Sequence, residues 1–186
     1  MEADWEVEIG GETPVIDACW DGLIDLRLSP ERAALLPEAR QLPALADALV
    51  DLNAAFSPVW TAKCDVWRPA EFDPDELDAQ AGEGNCAVAC YIDLLPRTDR
   101  QWPSPEQAVA ACREICALLR IVPLRRCRVD LVVRRAYIHP DQQDQGITAY
   151  LTACGPTVDE ARTTLESALR VLAESVLGAK TASTLQ

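Results

Sequence analysis

The chain is expected to fold as an α+β protein in which three ββα units form a six-stranded, mostly antiparallel sheet with the helices packed on one face. Three observations carry this expectation. Apolar and polar residues alternate with period two in paired segments; each pair is followed by an apolar stripe of helical period; and the pattern recurs at approximately residues 4–56, 59–120 and 125–178. Each unit is too small to bury its own apolar face, so the three must share one core. At 186 residues the chain is read as a single domain, 1–186, with 180–186 as a frayed tail.

In the first unit Trp5, Val7 and Ile9 alternate with Asp4, Glu6 and Glu8. A long second strand is expected, with Ile16, Ala18, Trp20, Ile24, Leu26 and Leu28 on one side and Asp17, Cys19, Asp21, Asp25 and Arg27 on the other. Ser29-Pro30-Glu31 opens a helix, but Pro37 and Pro43 interrupt it, so a short turn should precede the main helix. The stripe of that helix is Leu42, Leu45, Leu49, Leu52 and Phe56.

In the second unit Trp60, Ala62, Cys64 and Val66 oppose Thr61, Lys63, Asp65 and Trp67, and the partner strand carries Cys86, Val88, Cys90, Ile92 and Leu94. Ser104-Pro105-Glu106-Gln107 places an N-cap serine, an N1 proline and an N3 glutamine before the stripe Val109, Cys112, Cys116 and Leu119. The third unit alternates Cys127, Val129, Leu131 and Val133 with Arg128, Asp130 and Arg134. After a polar loop from Arg134 to Gly146, it alternates Ile147, Ala149, Leu151 and Ala153 with Thr148, Tyr150, Thr152 and Cys154. Thr157 and Glu160 form a capping box for a helix with stripe Ala161, Leu165, Ala168, Leu172 and Val176, closed by Gly178 as a left-handed cap.

Composition narrows the class. Hydrophobic residues make up 49% and charged residues 25%, the balance of a globular protein. No stretch approaches the roughly 20 apolar residues of a membrane span. The start, Met1 to Glu6, is acidic and lacks the basic and apolar regions of a signal peptide, which predicts a cytoplasmic protein. The 8 cysteines are sparse for a disulfide scaffold. Cys64, Cys86, Cys90 and Cys127 fall on the apolar phase of strands, where cysteine acts as a small hydrophobe.

Common reaction chemistry is missing. There is no GxSxG elbow, no phosphate-binding GxxxxGK and no GxGxxG, and a single histidine, His139, excludes a two-histidine zinc helix. The CxxxC pairs Cys86/Cys90 and Cys112/Cys116 suggest zinc, but four residues of strand span about 13 Å, too far for two thiolates that must each lie about 2.3 Å from one ion. Cys112 and Cys116 share a helical face but also fit the core stripe, and core packing is the favoured reading. In the acidic segment Phe72 to Asp78, Leu77 stands where an EF-hand needs a ligand, and the required glycine is missing. No catalytic residue, cofactor or metal ligand is therefore assigned.

Charge is the positive signal. The net charge of -13 is divided unevenly: residues 1–99 hold 21 acidic and 6 basic residues, and residues 100–186 hold 9 acidic and 11 basic. Such a field repels nucleic acid and anionic membrane and speeds encounter with a basic protein. Arg68 to Asn85 forms an 18-residue loop carrying Glu71, Asp73, Asp75, Glu76, Asp78 and Glu83. Loops of this length are usually functional or disordered. The arginines Arg120, Arg125, Arg126, Arg128, Arg134 and Arg135 lie on strands and turns, and are expected to pair with the acidic half rather than to form a nucleic-acid stripe.

One-sided helix packing leaves the other sheet face open. That face is expected to carry Asp17, Asp21, Asp25, Lys63, Asp65, Trp67, Tyr91, Asp93, Arg128, Asp130, Arg134, Tyr150 and Thr152. The expected function is a non-enzymatic acidic binding module of the immunity, inhibitor or secretion-chaperone type, holding a basic protein partner. The contacting residues are expected to be Asp21, Asp25, Trp67, Glu71, Asp73, Asp75, Glu76, Asp78, Tyr91, Asp93, Asp130 and Tyr150. A homodimer would use the same face. The alternative is an enzyme with a carboxylate site there, acting on a small polar substrate, which requires a concave pocket and a carboxylate of raised pKa.

Overall fold

The structure, a computed structural model, describes residues 1–97, 102, 104–139 and 142–179. In chain order the elements are β1 (Glu2–Glu8), β2 (Ile16–Asp17), a 3₁₀ turn (Pro30–Leu35), α1 (Pro37–Gln41), α2 (Pro43–Asn53) and β3 (Val59–Trp67). A second 3₁₀ turn (Asp75–Leu77) follows, then β4 (Cys86–Pro96), α3 (Pro105–Arg120), β5 (Cys127–His139), β6 (Gln142–Gly155) and α4 (Val158–Gly178). The fold is α+β, with a six-stranded sheet ordered β1-β5-β6-β4-β3 and β2 added to β5 beyond β1.

The sheet is mixed. β3/β4, β4/β6 and β5/β6 pair antiparallel, whereas β1 and β2 both run parallel to β5. The threefold ββα repeat therefore fails in its first unit: β1 and β2 form no hairpin, and each adds separately to a strand more than a hundred residues later. The expected long strand from Ile16 to Leu28 is also corrected, since only Ile16–Asp17 is strand. Its aspartates compete with the ladder: Asp17 accepts the Cys19 N–H at 2.8 Å and Asp25 the Arg27 N–H at 3.0 Å. Such local turns draw the backbone out of a sheet. Gly22, at φ 107°, completes a turn that ordinary side chains resist.

The polar loop expected from Arg134 to Gly146 is strand on both sides, because β5 and β6 stay paired out to His139 and Gln142. Cross-strand pairing and the addition of Ile16 opposite Ala136 outweigh the polar composition. The proline-rich segment behaves as its sequence suggests, with Pro30, Pro37 and Pro43 each opening a short helical piece. The Thr157 hydroxyl accepts the Glu160 N–H, whereas Ser104 Oγ caps no first-turn amide. No left-handed cap closes α4: Gly178 is its last residue, and Ala179 follows in an extended conformation. The tail 180–186 lies outside the described residues.

One face of the sheet carries the main core. Val88, Cys90, Ile92 and Leu94 of β4, Val129, Leu131 and Val133 of β5, and Ile147, Ala149, Leu151 and Ala153 of β6 pack against the stripes of α2, α3 and α4. Cys112 and Cys116 belong to this core. The expected stripes are buried except for Val109, which is half-buried, and Phe56, which lies beyond the end of α2 and is 71% exposed.

Side chains close both sheet edges. On β3 the N–H groups of Val59, Thr61 and Val66 donate to Ser57, Asn53 and Asp65. On β1 the Ala3 carbonyl accepts from Arg120 Nε at 2.8 Å, which ties the strand to α3. Edges satisfied in this way are poor templates for further strands.

Candidate functional site

The sheet face away from the helices is framed at its two ends and open between them. At one end Ile16 and Ala18 pack on Trp60, Leu95 and Ala136, with Leu23, Ala62 and Ile138 beside them. At the other end the acidic loop folds back so that Leu77 seats on Ala87 and Cys154. That loop is fastened by Arg125, whose Nε donates to Asp78 at 2.9 Å and whose Nη2 lies 3.7 Å from Glu83. Asp73 caps the Asp75 N–H at 2.9 Å. Glu76, in the same 3₁₀ turn, lines a pocket on the open band.

Strand register orders the band into rows. Glu2, Arg128, Thr152, Ala89 and Trp67 lie opposite one another across the sheet, followed by Asp4, Asp130, Tyr150, Tyr91 and Asp65, then by Glu6, Val132, Thr148 and Asp93. The parallel addition of β1 creates this arrangement, since it brings Asp4, Glu6 and Glu8 beside the arginines of β5. Three aromatic rings follow a line across β3, β4 and β6: Trp67 and Tyr91 have centroids 6.3 Å apart, and Tyr91 and Tyr150 have centroids 5.9 Å apart.

Arg134 anchors the far end of that line. Its Nη2 donates to Glu8 at 2.7 Å, its Nη1 donates to the Tyr150 hydroxyl at 2.9 Å, and its guanidinium lies 5.4 Å from the Tyr150 ring centre. Arg128 donates to Asp130 at 2.7 Å. The pocket between them holds about 420 Å³ and is lined by Asp4, Glu6, Glu76 and Asp130 as well as by both arginines and Tyr150. Burial raises the Asp130 carboxyl above the usual range although Arg128 opposes it. Burial also lifts the Tyr91 phenol to about 12, helped by Asp93 and Asp65, so its hydroxyl stays protonated.

The expected contact residues separate into groups. Trp67, Tyr91, Asp130, Tyr150 and Glu76 converge on the open band. Asp93 lies beneath it, 6% exposed, and accepts the Thr148 hydroxyl at 2.6 Å. Asp21 and Asp25 do not share the band, because the segment expected to be strand turns away. Asp25 forms a 2.7 Å ion pair with Arg27, which stacks 3.8 Å over Trp60. Asp17, placed on the open face in the sequence reading, caps its own turn. Asp73 and Asp78 serve the loop itself, and Glu71 and Asp75 are exposed on it. Sequence reasoning missed Asp4, Glu6 and Glu8; the only available signal was the charge complementarity between residues 4–8 and 128–134.

A second pocket, of about 330 Å³, opens where a bulge between Thr61 and Cys64 breaks the register of β3. Trp20 walls it, with Lys63 5.3 Å from its ring centre. Burial pushes the Cys64 thiol up to about 12, so it serves as an apolar wall and not as a nucleophile.

No helix among the described residues is long and apolar enough to cross a membrane. Comparison with known proteins finds no matching family model, curated protein or solved structure.

Proposed function

We propose that this chain is a non-enzymatic binding module that holds a basic protein partner on the framed sheet face, in the manner of an immunity protein, an inhibitor or a secretion chaperone. The observation that supports this most is the distribution of unpaired charge. Glu6, Glu76 and Asp65 stand around the Trp67, Tyr91 and Tyr150 rings without forming an ion pair among the described residues, Glu76 acting on Arg128 only from a distance, while both nearby guanidinium groups are paired with Glu8 and Asp130. A lysine or arginine side chain placed there gains carboxylate partners and aromatic faces together. A second copy of the chain meeting this face by twofold symmetry would set the same negative excess against itself, so a basic partner suits it better.

Isothermal titration tests the proposal, using an arginine-rich peptide and its glutamate-substituted counterpart at low and physiological salt. The basic peptide should bind, more weakly as salt rises, and the double variant Glu6→Gln/Glu76→Gln should lose at least tenfold in affinity. Equal binding of the two peptides, or no change in the variant, overturns it.

A second reading, an enzyme acting on a small polar substrate, draws support from Asp130. A carboxyl of raised pKa beside a guanidinium and a phenol in a concave pocket suits proton transfer. Turnover of a small polar substrate that disappears in Asp130→Asn with folding intact would favour this reading over the first.

A further inference from the structure

Resting on the basic-partner reading, we infer that the face recognises two side chains of one extended segment: a basic one in the polar pocket and an apolar one, four residues away, in the pocket at the β3 bulge. The two cavities differ in chemistry. The first, between β1, β5 and β6, presents Asp4, Glu6, Glu76 and Asp130. The second is walled mainly by apolar groups, among them Trp20, Ile24, Leu26, Leu36 and Ala62, with one cation and one anion, Lys63 and Glu38, that leave it without net charge.

The aromatic line joins them. Tyr150 borders the polar pocket and Tyr91 the apolar one, so the two rings form a shared floor. The wall of the second pocket is built into the backbone. Gly22 has φ 107°, and a Cβ there would lie 2.8 Å from the Trp20 ring, so glycine lets the indole fold back on its own turn and stand over the bulge. The bulge itself re-aims Lys63 towards that indole.

Spacing follows from the sheet. Three strand-to-strand steps separate β5 from β3, and at roughly 4.8 Å each they span about 14 Å. A segment crossing the strands at about 3.3 Å per residue covers that distance in about four residues. Side chains four apart on an extended segment also point the same way, so one can enter the polar pocket while the other reaches the β3 edge, where Leu36 and Leu49 of the helix layer complete the second pocket.

Fluorescence anisotropy tests this with labelled eight-residue peptides on a glycine–serine background. One carries arginine at position 2 and leucine at position 6, a second carries the arginine alone, and a third has the leucine moved to position 5. The first should bind at least tenfold tighter than the other two, and Ala62→Phe, which fills the second pocket, should abolish that advantage. Trp20→Ala removes the wall without crowding the core and should act likewise, which guards against misfolding of the filled variant. If the arginine-only peptide binds as tightly as the first, or neither variant alters the difference, the two-pocket inference fails and the basic-partner reading stands. If no arginine peptide binds, both fall.

Discussion

The Asp93 carboxylate and the Thr148 hydroxyl meet at 2.6 Å across β4 and β6, directly beneath the open face. Burial is the main influence on Asp93, and it raises the carboxyl above its ordinary value of 3.8 even though Thr148, Arg134 and Lys63 favour the charged form. A raised acid binds its proton more tightly in the folded state. Its contribution to stability is therefore complete below the unfolded value and is lost as pH rises through the folded one. Asp93→Asn, which keeps an acceptor for Thr148, should be more stable than the parent at pH 7. That advantage should vanish as pH falls below 4, with a slope no steeper than about 1.4 kcal/mol per pH unit. Urea midpoints of both proteins measured from pH 3.5 to 8 check the sign.

Asn53 closes the β3 edge with three contacts. Its amide donates to the Leu49 carbonyl at 2.8 Å and to Thr61 Oγ1 at 2.7 Å, and its carbonyl accepts the Thr61 N–H at 3.1 Å, all buried. Asn53→Ala leaves those groups without partners and should cost about 2–3 kcal/mol. A urea melt gives the energy. Hydrogen exchange at the Thr61 amide should rise beyond the global effect.

Gly146 lies where the frame closes on the sheet. An added Cβ would come 2.7 Å from Ile16 Cδ1, 2.9 Å from Leu95 Cδ2 and 3.2 Å from the Leu94 carbonyl. Gly146→Ala should therefore push the Ile16 segment off the face and cost about 1–3 kcal/mol by overpacking. The change should appear in thermal unfolding, together with altered fluorescence from Trp60, which belongs to the same apolar cluster.

Arg125 fastens the acidic loop from an exposed position, through Asp78 and Glu83. Surface ion pairs contribute little to global stability, so Arg125→Ala should hardly move the unfolding midpoint. Local opening is the more sensitive quantity. Amide exchange over residues 75–83 should accelerate severalfold while the β4 and β6 amides keep their protection.

What the sequence revealed, and what it hid, follow from local and distant causes. Period-two alternation correctly assigned faces along β4, β5 and β6, and helical spacing found the buried stripes of α2 and α4, because each signal reports one element meeting one core. The partner of β1 could not be read, because parallel addition to β5 depends on chain closure over more than a hundred residues. Consequently Glu6 and Glu8 were not placed beside Arg134. The segment from Ile16 to Leu28 alternates well enough to mimic a strand, yet Asp17, Asp25 and Gly22 carried turn chemistry that outweighed it. The aromatic line was partly legible: Trp67, Tyr91 and Tyr150 shared the polar phase of their strands, but only register brings the rings to 6.3 Å and 5.9 Å.

The most direct test of the basic-partner proposal is a titration of isotope-labelled protein with the arginine-rich peptide, followed by backbone amide shifts. The largest shifts should fall on Trp67, Tyr91, Asp130, Tyr150 and the loop around Glu76, with α2, α3 and α4 undisturbed. Shifts concentrated on the helices, or a spectrum unchanged at saturating peptide, would contradict a recognition role for the framed face.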